Sequence, residues 1–166
     1  MVVSILLTSC SSNKYSQSDI NKYLTRERVK AKTSPISFRI PQGWHVIDAN
    51  DGKFVDLWIV RNDMNVSLSL QPFYSNSSKV SLQKSYKESK LLQQTKFKNS
   101  LKIIDEEPIT LNNMNVLFYH FEVNKKEFRV ALFSFNNQIY ELTLFGNNTN
   151  IKIEYFIQEL TISSAE

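Results

Sequence analysis

Over much of the chain, apolar and polar positions alternate with the period of strands. Val66, Leu68 and Leu70 are separated by Ser67 and Ser69, the pattern of a half-buried strand. Segments 36–41 and 44–48 predict a hairpin closed by Pro41-Gln42-Gly43, and 54–61 pairs with 64–71 across Asn62-Asp63. A polar stretch at 75–78 leads into a helix over 79–97. The apolar stripe of this helix is thin, with Leu82, Tyr86 and Leu92 or Phe97 among lysines and glutamines, so it lies on the surface with one edge docked. Residues 102–111 predict an edge strand, because Pro108 interrupts it. Strands at 116–123, 128–135 and 139–145 follow one another as a meander. Their turns use asparagine, which tolerates the left-handed backbone that tight turns need. Ile153, Phe156, Ile157 and Leu160 recur at helical spacing within 150–162.

Segment 116–123 places Leu117, Tyr119, Phe121 and Val123 on one face and Val116, Phe118 and His120 on the other. A strand apolar on both faces belongs to a sheet covered on both sides. With one helix available per face, the expected class is α+β: an antiparallel sheet of roughly six to eight strands sandwiched between helices. Trp44 and Trp58 are expected to anchor the packing at the two ends of the sheet.

The first ten residues change the picture. Residues 2–7 read VVSILL and are followed by Thr8-Ser9-Cys10. An apolar run ending in small residues is the end of a secretory signal peptide. Leu7-Thr8-Ser9-Cys10 resembles the bacterial lipobox. That resemblance implies that the thiol of Cys10 carries diacylglycerol and that cleavage makes Cys10 the first residue of the mature chain. Two or more acyl chains form a stable anchor where one would not. The single cysteine is then an attachment point and not a redox group. No apolar stretch approaches the 18 or so residues of a membrane-spanning helix.

Charge points the same way. The net charge is +4, and residues 11–34 account for all of it with Lys14, Lys22, Arg26, Arg28, Lys30 and Lys32 against Asp19 and Glu27. Basic residues near an anionic leaflet gain up to about 1 kcal/mol each. Segment 11–34 therefore reads as a tether close to the bilayer, with a short helix from Ser18 or Asp19 that carries Ile20, Tyr23 and Leu24 on one side. The expected organisation is a signal-peptide remnant at 1–9, a lipid-anchored basic tether at 10–34 and a folded domain at 35–166. A basic isoelectric point in an exported protein with a neutral body does not point to nucleic acid.

Ile36-Ser37-Phe38-Arg39-Ile40-Pro41-Gln42-Gly43-Trp44 resembles the opening of the PsbP-like superfamily, in which an aromatic and an aliphatic residue precede Pro and then Trp. Tyr140-Glu141-Leu142 is similar to a second strand of that group, which includes DcrB-like bacterial lipoproteins. The resemblance covers about 35–164. It implies a sheet between helices and a binding or assembly role, with no catalytic constellation.

The residues support no competing chemistry. Three glycines leave no GxGxxG or GxxxxGK[ST] phosphate loop. His45 and His120 fall on different predicted elements without HxH or HxxxH spacing, and two His with one Cys are too few for a typical zinc site. Asp105-Glu106-Glu107 and Glu122 read as acids that keep an edge strand soluble. No GxSxG or SxxK marks a nucleophile. No catalytic residue, cofactor or metal ligand is therefore assigned. Trp58, Phe73 and Tyr74 are the candidate partner surface, if exposed together. The expectation is a non-enzymatic, membrane-anchored lipoprotein of the cell envelope, facing the periplasm or the exterior, that binds or assembles an envelope protein. The alternative is a protein that takes a small apolar ligand, or acts on one, in a pocket between sheet and helix.

Overall fold

The computed structural model describes residues 15–48, 54–73, 81–111, 114–147 and 150–162. Cys10 and Tyr74 lie outside them. The predicted strands assemble into a seven-stranded antiparallel sheet. Its members are β3 (Trp44–Val46), β4 (Leu57–Arg61), β5 (Ser67–Pro72), β6 (Leu101–Leu111), β7 (Met114–Val123), β8 (Lys126–Phe135) and β9 (Gln138–Phe145). The spatial order is β3-β4-β5-β9-β8-β7-β6, so β6, with Pro108, is an edge strand as expected. The β7–β8 and β8–β9 hairpins turn on Asn124-Lys125 and Asn136-Asn137, all four at positive φ. This is the two-residue turn whose twist matches paired strands. Gly146 ends β9 at φ +116, where a Cβ would lie 2.4 Å from the Asn65 carbonyl oxygen. Only glycine fits there.

A second sheet of three strands has the order β1-β2-β10, from β1 (Leu24–Lys30), β2 (Ile36–Pro41) and β10 (Thr161–Ile162). This corrects three expectations. Segments 36–41 and 44–48 do not form a hairpin: the turn at Gly43 exists, but β2 pairs with β1 and β10 while β3 pairs with β4. The chain crosses from one sheet to the other at Pro41, and the partners of β2 come from the two ends of the described chain. Residues 15–34 are not a tether but part of the fold. A helix, α1 (Gln17–Tyr23), starts at Ser16, whose side chain accepts from the Asp19 N–H while Asp19 reaches back to the Ser16 N–H. Ile20, Leu24 and Val29 from this stretch are buried. The C-terminal helix is also shorter than predicted: α3 (Ile153–Gln158) gives way to β10.

The large sheet separates two cores. On its inner face Ile59, Leu68, Leu70, Leu142, Ala131 and Phe133 pack with Phe38 and Ile40 of β2, Ile20 of α1 and Phe156 of α3. On the other face Tyr119, Phe121, Val130, Leu132 and Ile139 pack beneath α2 (Leu82–Phe97), which contributes Leu82, Tyr86 and Phe97. The sheet is thus covered on both sides, by a helix on one and by a small sheet with two helices on the other. Of the two alternatives for the end of the α2 stripe, Phe97 docks and Leu92 is 60% exposed, and the helix also buries Ser85 and Ser89.

Candidate functional site

The two ends of the described chain meet over one end of the inner face and leave a cleft of about 550 Å³. Register explains its floor. One rung across the sheet runs Ile59, Leu68, Leu144, Arg129, His120. The first three are core, and the last two, with Phe118, line the cleft where the small sheet no longer covers them. Tyr15 and Tyr23 reach it from either end of α1, and Lys152, Glu154 and Tyr155 from the start of α3. The Tyr155 ring meets Tyr15 edge-on at 5.0 Å and stacks on Tyr23 at 5.7 Å. Lys152 Nζ donates to the Tyr15 hydroxyl at 3.2 Å and lies 4.6 Å from the centre of the same ring. That hydrogen bond raises the Lys152 pKa, so the ammonium stays charged.

Arg129 Nη2 donates to Glu127 Oε2 at 2.6 Å. His120 Nε2 stands 3.3 Å from the same oxygen but is buried without a hydrogen bond. Burial and the Arg129 charge push the His120 pKa below its ordinary value, against the pull of Glu127 and Asp105. The imidazole is therefore neutral at neutral pH. The cleft holds rings, fixed cations and their counter-charges, and it suits an amphiphilic ligand with a charged end.

Beneath α2 lies a second polar group of a different kind. Glu141 is 3% exposed. Ser89 donates to its Oε2 at 2.5 Å, and Gln71 donates to its Oε1 at 3.0 Å. Ser89 has one proton, so the Tyr119 hydroxyl donates to Ser89 Oγ, at 2.7 Å. Burial raises the Glu141 pKa despite these bonds. A serine beside a carboxylate suggests a nucleophile and base, but both are sealed from solvent, so the group positions the helix.

Of the sequence-predicted partner residues, Trp58 and Phe73 are not exposed together, and Tyr74 lies outside the described residues. Trp58 is 37% exposed on β4. Phe73 is a correction: it is buried in the core under α2, and its N–H donates to the Ile139 carbonyl. Val46 of β3 pairs with Ile59 and so is exposed on the face opposite Trp58, and Phe54, three residues before β4, is also exposed. Val46 belongs to β3, an edge strand of three residues. His45 is exposed and shares a hydrogen bond with Asn62. Glu106, one of the edge acids, binds Lys90 and Tyr86 and so pins α2. Among the described residues no three His, Cys, Asp or Glu side chains gather as metal ligands, and no helix is long and apolar enough to cross a membrane. A cleft of about 500 Å³ lies between the start of α2 and β6–β7, lined in part by Leu82, Pro108 and Leu117. Sequence reasoning missed the tyrosine cleft, because its walls come from residues more than a hundred positions apart. The only signal was Tyr23, placed on one side of a predicted helix.

No family model and no curated protein matches this sequence. Solved structures do share its fold. The cyanobacterial PsbP (CyanoP) of Synechocystis sp. PCC 6803 superposes with a TM-score of 0.60 at 12% identity, over 82% of this chain and 91% of that one. The Ran-binding protein Mog1p of Saccharomyces cerevisiae gives 0.55 at 11% identity, over 84% and 96%. At such identities the likeness is one of fold. The chain is an α+β protein with an open antiparallel sheet and helices, consistent with the PsbP-like fold that its opening motif resembles.

Proposed function

We propose that this protein is a non-enzymatic docking module of the bacterial cell envelope, held to the membrane through a lipidated Cys10 and presenting the β3–β4 edge of its large sheet to a partner protein. The observation that carries this reading is the exposure of Trp58 on one face and Val46 on the other face of the β3–β4 edge, with Phe54 exposed just before β4, beside an edge strand whose outer backbone groups have no neighbouring strand among the described residues. An open edge flanked by apolar side chains is the geometry to which a partner adds a strand. Mog1p, which shares the fold, is named as a Ran-binding protein, and this supports a binding role.

The test is photo-crosslinking in cells, with the crosslinking residue at position 58 or, as control, at 94 on the exposed side of α2. One discrete adduct from 58 and none from 94, lost in Cys10→Ala, is the expected result. Equal adducts from both positions overturn the edge as the docking site. A second reading, an apolar-ligand protein, rests on the cleft beside α2. Protection of that cleft by a fluorescent fatty acid, with no adduct from 58, would favour it.

A further inference from the structure

The tyrosine cleft has no part in the docking edge, yet it lies where the chain enters the fold. Tyr15 is five residues after Cys10. A fully extended chain spans roughly 3.3–3.6 Å per residue, so at most about 18 Å separates a lipidated Cys10 from the cleft wall. The first part of the body to meet the bilayer is therefore α1 with its cleft. Part of the charge excess is carried by the elements that adjoin the cleft. Lys22, Arg26 and Lys30 are exposed on α1 and β1, while residues 35–166 are balanced. Tyrosine is suited to the water–lipid boundary, having an apolar ring and a polar tip.

We propose that the face made by α1, β1 and the cleft docks on an anionic phospholipid surface, with one headgroup phosphate entering the cleft between Lys152 and Arg129. The proposal rests on the anchoring reading above for its geometry. The cleft is not a bare cationic hole. Glu127 takes Nη2 of Arg129, and Glu154 stands beside Lys152. These carboxylates keep the two cations apart and ordered, and they keep affinity for a free anion low. Useful binding then needs the phosphate contact and the exposed cations of α1–β1 together, which a membrane supplies and a dissolved phosphate does not. The three rings of Tyr15, Tyr23 and Tyr155 line the cleft and would pack against the glyceryl part of the headgroup.

The test uses the full chain with Cys10→Ser, so that no acyl group contributes. Its co-flotation with phosphatidylcholine vesicles is compared with and without phosphatidylglycerol. Binding should require phosphatidylglycerol and weaken with salt. Removing one cation from a charged membrane contact costs roughly a fivefold loss, so Lys152→Gln should bind about fivefold more weakly. Lys96→Gln, on α2 across the sheet, should bind like the parent. Tyr23→Ser, which leaves the charge unchanged, should also weaken binding, with its melting curve checking the fold. Absence of a phosphatidylglycerol preference overturns the proposal. So does an equal loss for Lys96→Gln, which would mean diffuse attraction without a site, or glycerol phosphate in solution binding as tightly as the vesicles. Fractionation of cells that express the wild-type chain tests the anchor separately. A soluble wild-type protein whose Cys10→Ser form still floats with phosphatidylglycerol sinks the anchor and keeps the cleft. A membrane-bound wild-type protein whose Cys10→Ser form shows no lipid preference does the reverse.

Discussion

The two faces of the large sheet are held down in opposite ways. On the inner face the contact with β2, α1 and α3 is mainly apolar: Phe38, Phe156, Ile153 and Leu142 are fully buried, and the Phe38 and Phe156 rings meet edge-to-face at 5.5 Å. On the other face α2 buries two serines at the sheet and turns Leu91 and Leu92 outward. It is fixed at points: Ser89 to Glu141, Tyr86 and Lys90 to Glu106, and Phe97 against Phe121 and Phe128. Apolar area is strong but indifferent to exact placement. A few directional bonds are weaker and set the orientation of the helix on the sheet. Stability should therefore sit mainly on the inner face, and placement of α2 on the other.

The largest test of that contrast is Phe38→Ala. It removes a fully buried ring and should cost about 3–5 kcal/mol, read as a fall in the urea midpoint at unchanged slope. The counterpart on the α2 face is Ser89→Ala. It strands Glu141 Oε2 and the Tyr119 hydroxyl without a partner and should cost about 1–3 kcal/mol. Hydrogen exchange should rise throughout α2 in that variant while β2 stays protected. A larger loss for Ser89→Ala than for Phe38→Ala would reverse the assignment of the two faces.

The sequence was most legible where one element carries its own pattern. The apolar pairs of β7, the edge position of β6 and the asparagine turns of the meander all follow from local spacing. It was least legible where a residue type misleads. Leucine at 92 falls near the docking side of an ideal helix, yet the helix comes close to the sheet through small serines, and among the described residues the flank that carries Leu92 is left exposed. Arg28, Arg39 and Glu159 read singly as solvated charges. Together they join β1, β2 and the end of α3, with Arg39 Nε 2.8 Å from Glu159 Oε2. That closure across the chain makes residues 15–34 part of the domain, and no local pattern announces it. The cleft was hidden for the same reason: its tyrosines and Lys152 are ordinary surface residues until the chain ends converge.

The comparison extends to pH, because Glu159 on one side of the sheet and the fully buried Glu141 on the other shift oppositely. For Glu159, burial raises the pKa, but hydrogen bonds from Gln17 and Arg39 and the charges of Arg39 and Arg28 outweigh it, and the pKa is lowered. Its stabilisation is then present above the ordinary carboxyl value of 4.5 and is lost as pH falls through the lowered one. For Glu141, burial dominates and the pKa is raised. Its folded form holds the proton more tightly, so the favourable contribution is present below 4.5 and is lost as pH rises through the raised value. At neutral pH Glu159→Gln should be less stable than the parent by about 1–3 kcal/mol, the range for a weakened charged hydrogen bond, with the gap closing in acid. Glu141→Gln should gain on the parent as pH rises from 4.5. Urea midpoints across the pH range check both, and parallel curves would mean that the two carboxylates do not differ.

The smallest effect tests whether the α2 face has spare apolar surface. Leu91 and Leu92 are 61% and 60% exposed. Replacing both with Lys removes little buried area, and lysine is an equally good helix former. Surface changes of this kind stay within about 0.5 kcal/mol each. The double variant should therefore melt near the parent temperature and keep its adduct from position 58, since the β3–β4 edge lies at the other end of the sheet. A loss of several kcal/mol would mean that the two leucines are covered in the native protein. The outer side of α2 would then be a contact surface, and the point-fixed helix would be completed by a partner instead of by the sheet alone.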